Sequence, residues 1–253
     1  MPPLTVTLVT RNESTNIAAA LETVAWADEI VVVDAESTDD TVAIARRFTG
    51  RVFVREWPGY VAQKNFAAEQ ACHDWILSLD ADERVTPALA GEITDVLQAA
   101  PSQAGFRVPR ASFYLGRWLR STDWYPDLQL RLYDRRRARW EGRYVHESVR
   151  ADGPVGKLRG ELLHYPYRDI AHHVQTIDRY TTLAAQQAAE RGKRASVADV
   201  LARPPVAFLR NYLLRLGIKD GEAGLVVSLL NSYYVFLKFA KLWELGRERD
   251  KRA

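Results

Sequence analysis

Two acidic turns, each directly behind an apolar strand-like run, are the residues of this chain best suited to chemistry: Asp34 after the run 30–33, and Asp80-Ala81-Asp82-Glu83 after the run 75–79. Carboxylates at the carboxyl ends of buried strands stand where open α/β sheets bind ligands. Residues two apart on an extended segment share a face, so Asp80 and Asp82 point the same way, and Ala81 between them adds no bulk. Such a pair suits a hard divalent cation, Mg²⁺ or Mn²⁺, shared with phosphate oxygens. That chemistry is needed when a diphosphate departs and its growing charge must be neutralised. The plain alternative is a solvated acidic turn. The buried run before the motif, and Asp34 at the equivalent place on another strand, favour a site for a nucleotide-linked donor.

Strands must hold these carboxylates. Residues 4–9 form a β-rich run ending at Thr10-Arg11-Asn12-Glu13, and a helical pattern follows over 14–26. Residues 29–34 are nearly continuous in Val and Ile, as in a strand covered on both faces, and Ser37 or Thr38 is placed to cap a helix reaching 48. A third strand is expected over 51–55, a helix over 60–73 and a fourth strand over 74–79. This alternation implies right-handed crossovers and a parallel sheet, hence an α/β fold. A helix from Pro87 to about 99 is followed by strands over 105–108, 128–133 and 158–163, expected in mixed or antiparallel pairs. A long helix over 169–191 and, beyond Arg203-Pro204-Pro205, helices over 206–216 and 222–245 complete the chain. The expected division is a catalytic domain over 1–202, with a donor half (1–100) and an acceptor half (101–202), and an amphipathic helical segment over 203–253.

Length and composition agree: 253 residues, 47% hydrophobic and 26% charged, suit one large α/β domain with a proper core. The single cysteine, Cys72, excludes an internal disulfide and suits a reducing, cytosolic compartment. Its apolar helical surroundings predict a buried packing role. The start, Met1-Pro2-Pro3-Leu4, has no basic segment followed by an apolar core, so nothing there marks secretion. The net charge of +3 is uneven, because from Arg203 onward ten Lys and Arg face five Asp and Glu, which leaves −2 on residues 1–202. This argues against nucleic acid as the main substrate and predicts an anionic surface as partner of the C-terminal segment.

In this order, the N-terminal hundred positions resemble a family 2 glycosyltransferase of the GT-A fold. The likeness lies in the joint spacing of Thr10-Arg11-Asn12-Glu13, Asp34-Ala35-Glu36-Ser37-Thr38-Asp39, Gly59 through Lys64-Asn65, and Leu79-Asp80-Ala81-Asp82-Glu83. The second half, with Trp124-Tyr125-Pro126-Asp127, Arg131-Leu132-Tyr133 and Val145-His146-Glu147-Ser148-Val149, is similar to the branch containing lipopolysaccharide-core β-1,4-glucosyltransferases. The resemblance implies a mixed, mostly parallel sheet flanked by helices. It implies inverting transfer of a hexose, glucose first, from a nucleotide sugar such as a UDP-hexose to a lipid-linked or lipopolysaccharide-core acceptor. It also implies roles: Glu13 and Asp34, with Thr10 and Arg11, at the nucleoside; Lys64, beside Asn65, near the diphosphate; Asp80 and Ala81 on the ribose side; and a metal held by Asp82 with Asp80. Glu36 departs from the pattern, standing where glycine is common.

Inversion by direct displacement needs a base for the acceptor hydroxyl, and one carboxylate suffices. Asp123, Asp127, Glu141 and Glu147 follow the metal motif. Glu147 is preferred, after a short β-like run over 143–145 and because the family places its base in a late acidic motif; pairing with a nearby arginine is the bland reading. Asp127, in a Trp/Tyr-rich loop suited to stacking on sugars, is second. His146 would orient the base or contact phosphate. Some relatives complete the metal shell with a histidine after the base, which points to His164 as a ligand against a plain core histidine. His172 and His173 receive no role, and Arg131 with Arg135-Arg136-Arg137 reads more as a solvated charge run than as an acceptor site.

The longest apolar stretch, 225–237, is about thirteen residues and ends at Lys238, short of the roughly twenty that span a bilayer. Leu225, Leu229, Tyr233, Phe236, Ala240 and Trp243 share one helical face, as do Leu209, Leu213 and Leu216, with Arg210, Arg215, Lys219, Lys238 and Lys241 alongside. The expectation is a pair of interfacial helices on the cytoplasmic face of the membrane, each cation adding about 1 kcal/mol near anionic lipid. Packing on the protein's own core or in a dimer seam is the alternative, and no oligomeric state follows. Two other functions compete. A sugar-1-phosphate nucleotidyltransferase would need a glycine-rich loop after the first strand, where residues 10–13 hold no glycine. A non-catalytic nucleotide-binding protein of the membrane surface would tolerate loss of Asp82. A dinucleotide oxidoreductase is disfavoured by the missing Gly-x-Gly-x-x-Gly.

Overall fold

The computed structural model describes residues 2–142 and 147–252. Two compact units form, one from Met1–Ala111 with Asp127–Tyr165, the other from Ser112–Pro126 with Pro166–Ala253.

In the first unit, four strands run parallel in the spatial order β3 (Val52–Val54), β2 (Glu29–Asp34), β1 (Leu4–Thr10) and β4 (Trp75–Asp80). The order continues through β8 (Asp127–Asp134), antiparallel to β4, then β6 (Gly105–Tyr114), β12 (Leu162–His164) and β5 (Glu83–Val85), while β11 (Val155–Lys157) joins β6. A separate hairpin pairs β9 (Ala138–Glu141) with β10 (Ser148–Ala151). The sheet is thus mixed with a parallel half, as the alternating pattern predicts.

Burial explains the Val/Ile runs. Leu4, Val6, Leu8, Leu77 and Leu79 pack with Ile17 and Leu21 of α1 (Ile17–Glu22) and with Leu89, Ile93 and Leu97 of α4 (Pro87–Gln98). On the opposite face, Val31 and Val33 meet Ala67 of α3 (Tyr60–Glu69). Each such side chain contributes about 1.5–3 kcal/mol when removed from water. Helix α4 starts where Pro87 fits its first turn and Thr86 Oγ1 accepts from Leu89 N–H at 3.2 Å.

Helix α2 (Thr41–Ala45) is shorter than expected and has no side-chain cap, because Ser37 is bonded to Asp34 instead. Cys72 is exposed, against the expected buried role. Helix α3 stops at Glu69, so Cys72 stands in the turn into β4, where its N–H donates to Glu29 Oε2 at 2.7 Å.

In the second unit, the end of β6 pairs with β7 (Arg117–Leu119), and three helices follow: α5 (Ile170–Glu190), α6 (Val197–Leu209) and α7 (Gly221–Arg252). Residue 203, the expected start of a separate segment, lies inside α6, and Pro204 and Pro205 are helical rather than a break. A capping box starts this helix upstream: Ser196 Oγ accepts from Asp199 N–H, and Asp199 Oδ2 accepts from Ser196 N–H. After the prolines, which lack N–H donors, the chain widens into a π-type turn over Arg210–Leu214. Helix α7 is one element of 32 residues, running beyond the expected end at 245. By length and composition it is apolar enough to cross a membrane, with mean hydropathy 1.4 over an 18-residue window inside Gly217–Arg249.

Helix α5 turns His173 into an aromatic cluster, stacked on Tyr167 at 3.9 Å with Nδ1 3.1 Å from Tyr114 Oη. Burial, then the neighbouring His172, pushes its pKa down to about 4. The folded imidazole therefore stays neutral where the unfolded one, near pH 6.5, takes a proton. Stability should fall as pH drops from about 6.5 to about 4, by about 3 kcal/mol at most. His173→Asn should remove that slope in thermal melts taken across this range; an unchanged slope would place it on another group.

Candidate active site

The parallel half of the sheet brings the first acidic turn to one edge. Thr10 is the register partner of Asp34, and Val9 that of Asp80, so the ends of β2, β1 and β4 lie level. Asp34 is fully buried, and Ser37 meets both its oxygens, donating N–H to Oδ1 at 2.7 Å and Oγ–H to Oδ2 at 2.5 Å. Ser37 Oγ in turn accepts from Asn12 N–H at 2.8 Å, and Asn12 Oδ1 accepts from Thr38 N–H at 2.8 Å. Glu13 N–H donates to Thr41 Oγ1 at 2.8 Å. The two loops expected at the nucleoside are thus stitched into one ledge. Glu36 sits at φ 55°, the left-handed region that explains why glycine would serve there. Thr10 Oγ1 is buried without a hydrogen-bond partner among the described residues, while Arg11 is exposed.

The second acidic turn lies in a buried ion network. Glu83, fully buried, accepts from Arg131 Nη2 at 2.7 Å and Arg110 Nη1 at 3.1 Å through Oε1, and from Asp80 N–H at 3.0 Å through Oε2. Asp80 Oδ2 meets Arg131 Nη2 at 2.5 Å and its Oδ1 meets Lys64 Nζ at 2.9 Å. Burial opposes ionisation of Asp80, but Arg131 and Lys64 overcome it and hold the carboxyl well below the usual carboxylate range. The same two anions, against burial, raise the Arg131 pKa. Lys64 Nζ also lies 4.2 Å from the centre of the Trp140 ring. Asn65, expected to line the donor, exchanges both amide hydrogen bonds with the Trp140 backbone and so fixes that ring.

Asp82 is in different surroundings. Strand β12 pairs antiparallel with β5, placing His164 opposite Glu83, and Tyr165 N–H donates to the Asp82 carbonyl at 2.9 Å. That ladder brings His164 Nε2 within 3.3 Å of Asp82 Oδ2. Asp82 Oδ1 is buried and has no hydrogen-bond partner among the described residues. Its free oxygen and the adjacent imidazole fit a divalent cation, whereas both Asp80 oxygens are engaged by cationic side chains. Among the described residues no group of three or more His, Cys, Asp or Glu is gathered around a point, so phosphate and water oxygens would supply most of the shell.

The two base candidates also differ. Asp127 accepts from Arg110 Nε at 2.8 Å and Nη2 at 2.5 Å through Oδ2, and from Gln129 Nε2 at 2.5 Å through Oδ1. Glu147 Oε2 is buried without a partner among the described residues. The 143–145 run and His146 lie outside the described residues. Asp123 is held by Arg210 and Arg215, and Glu141 faces Arg139 at 2.9 Å. Of these arginines only Arg131 is buried; Arg136 is exposed, as expected of a solvated run, while half-buried Arg135 donates through Nη1 to the Ala68 and Ala71 carbonyls and Arg137 through Nη1 to that of Ser102. Sequence reasoning missed Arg110 altogether and missed Arg131 as a partner of the motif. Arg131 lies on β8, beside β4, and Arg110 on β6, beside β8.

Comparison with known proteins follows this geometry. The family described as Glycosyl transferase family 2 matches residues 5–150. The lipopolysaccharide core biosynthesis glycosyltransferase LpsC of Rhizobium meliloti (strain 1021) is 31% identical, over 96% of this chain and 92% of its own. An uncharacterized glycosyltransferase, RT0209, of Rickettsia typhi (strain ATCC VR-144 / Wilmington) is 31% identical over 97% of this chain and 88% of its own. Among solved structures, the mannosyltransferase PcManGT from Pyrobaculum calidifontis, in complex with GDP-Man and Mn²⁺, shares the fold at TM-score 0.57 and 17% identity, covering 96% of this chain and 88% of that one.

Two predictions test the network. Arg131→Met leaves Glu83 with one arginine and should lower unfolding free energy by about 3 kcal/mol, read from urea midpoints at constant m. A shift inside experimental error would show that the network is not structural. Asp80, whose folded pKa is depressed, contributes stability that is fully present above its unfolded value of about 3.9 and lost as pH falls through the folded one. Asp80→Asn should therefore flatten the stability curve below about pH 4 in acid titrations followed by circular dichroism.

Proposed function

The chain belongs to glycosyl transferase family 2, and we propose that it is an inverting hexosyltransferase. It moves a hexose, glucose in the first instance, from a UDP-sugar to a lipopolysaccharide-core or other lipid-linked glycan, at the cytoplasmic face of the cell membrane. The acceptor reading is supported by the rhizobial relative named for lipopolysaccharide core biosynthesis, similar over nearly the whole of both chains. The observation that carries the site is Asp82 Oδ1, buried and without a hydrogen-bond partner among the described residues, beside His164 and directly after a strand whose Asp80 is already neutralised.

Asp82 and His164 would hold Mg²⁺ or Mn²⁺, a choice supported by the Mn²⁺ present with the archaeal mannosyltransferase. When bound, the cation offsets the charge of the departing diphosphate. Thr10, Arg11, Glu13 and Asp34 line the nucleoside side, with Asp80 and Ala81 beyond them. Lys64 keeps positive charge at Asp80 for the phosphates. Arg131 fixes Asp80 from the other side, and Asn65 holds Trp140 against Lys64. Glu147 accepts the acceptor hydroxyl proton while that oxygen bonds to the anomeric carbon and the bond from this carbon to the diphosphate oxygen breaks. Asp127, with both oxygens engaged, is the weaker base.

Transfer with a panel of nucleotide sugars and Mn²⁺, and the melting shift caused by each nucleoside diphosphate, should single out UDP and a UDP-hexose. A preference for GDP would overturn the uridine assignment. Glu147→Gln should lower kcat by about 10²–10⁴-fold with donor affinity changed less than about twofold. Turnover retained in that variant and lost in Asp127→Asn would move the base to Asp127.

A further inference from the structure

The second unit buries the wrong side of its helices for a protein surrounded by water. In α6, the inward residues are Pro204, Ala207 at 9% exposure and, just beyond the helix, Asn211 at 0%. The outward ones are Leu201 at 68%, Val206 at 63% and Leu209 at 50%, and the π-type turn continues the series with Leu213 at 51% and Leu214 at 79%. Leu216 and Ile218 are exposed in the turn that follows. Helix α7 buries Ala223, Gly224, Val227 and Ser228 while its larger Leu225, Leu229, Tyr233 and Phe236 stay open along one face. A helix covering an aqueous core turns its leucines inward. These turn them outward.

What joins the helices is equally telling. Ser232 Oγ of α7 donates to the Pro204 carbonyl of α6 at 2.8 Å, while Ser228 Oγ bonds back within α7 to the Gly224 carbonyl. The turn before α7 also packs on it through small residues, since a Cβ on Gly224 would lie 1.9 Å from the carbonyl oxygen of Gly217 in that turn. Close approach through small residues and hydroxyl hydrogen bonds is how helices associate where the surroundings are as apolar as leucine. Two independent features therefore point to the same environment: the exposed aliphatic face and the small-residue contact behind it.

We propose that the face formed by α6, the turn 210–218 and the first half of α7 docks into one leaflet of a bilayer carrying anionic lipid. Charge selects this occupant over a second copy of the chain. Arg203, Arg210, Arg215 and Lys219 are exposed among the leucines. The core of a protein interface is depleted of charge, whereas basic side chains beside an apolar face suit anionic headgroups. Although α7 as a whole is long and apolar enough to cross, the short extent of its open face selects docking. The open face of α7 ends at Phe236, and beyond it Lys241 is bound to Asp178 and Thr182 of α5, with Leu242 buried. From Leu225 to Phe236 a helix rises only about 18 Å, less than the ~30 Å of a hydrocarbon core. The surface deepens the proposed lipid-linked acceptor, and rests on that reading only for its purpose. Asp123, on the loop 120–126, is held by Arg210 and Arg215 of this same surface.

Flotation of the full chain tests it, with vesicles of phosphatidylcholine alone and with about one-third phosphatidylglycerol. The chain should float with the mixed vesicles, and Leu209→Glu with Leu214→Glu should weaken partitioning by about tenfold or more. Both side chains are exposed, so circular dichroism and UDP binding by calorimetry should not change. Failure of the unaltered chain to float, or equal flotation of the variant, overturns the proposal. So does a dimer in sedimentation velocity that the two substitutions dissolve without any vesicle binding. Lack of UDP binding with intact flotation would instead remove the donor reading and leave this surface standing.

Discussion

A carboxylate with no access to water sets the terms for this site. Glu83 sits on β5, and an ionised carboxyl there is tolerated only if its charge and lone pairs are matched. Arg110 from β6 and Arg131 from β8 supply the charge, and the Asp80 N–H satisfies the second oxygen. Strands of widely separated sequence are therefore tied to the acidic turn by one side chain. Such a network is poor evidence for net stability, since a well-packed apolar replacement often does as well. Its effect here is orientational, because removing any member leaves a buried charge facing the wrong partner.

The network also divides the labour of two aspartates that look equivalent. Asp80 ends β4 and Asp82 lies in the turn before β5, not on one extended segment; Asp80 is enclosed by Lys64 and Arg131, and Asp82 retains a buried oxygen without a partner among the described residues. A cation approaching Asp80 would meet two positive charges in place; one approaching Asp82 meets a carboxylate and an imidazole. The ladder between β5 and β12 makes that difference, because it delivers His164 to Asp82 alone. Arg131 thus acts on the motif without being its ligand: it fixes which carboxylate stays available.

How much of this was readable follows the range of the interactions. The strand ends carrying Asp34 and Asp80 were legible because a buried parallel strand has a local signature of continuous Val, Ile and Leu followed by a turn. Helix α4 was legible from Pro87 at its start. The ion network was not, since it depends on β8 lying beside β4 and β6 beside β8, pairings with no local code. Ser37 was assigned to a helix cap on spacing alone, but the fully buried Asp34 three residues earlier is the stronger acceptor. Arg131 carried the charge pattern of a solvated run, and only the sheet order places it inside.

The C-terminal helices show a further limit, which concerns direction rather than pattern. Periodicity shows that a helix has an apolar face but not whether protein, lipid or a second chain covers it. In α6 the Pro-Pro pair suggested a break, yet the capping box at Ser196 and Asp199 starts the helix earlier and the prolines fall on its later turns, with Pro204 facing α7. That placement turns the small, rigid residues inward and leaves the leucines outside. Tight packing between α6 and α7 and an apolar outer surface are then two consequences of one arrangement, because the side chains small enough for close helix contact are not those that can cover a core. If that outer face docks on lipid, as proposed, the arginines interleaved with the leucines suit a headgroup layer better than another apolar protein surface.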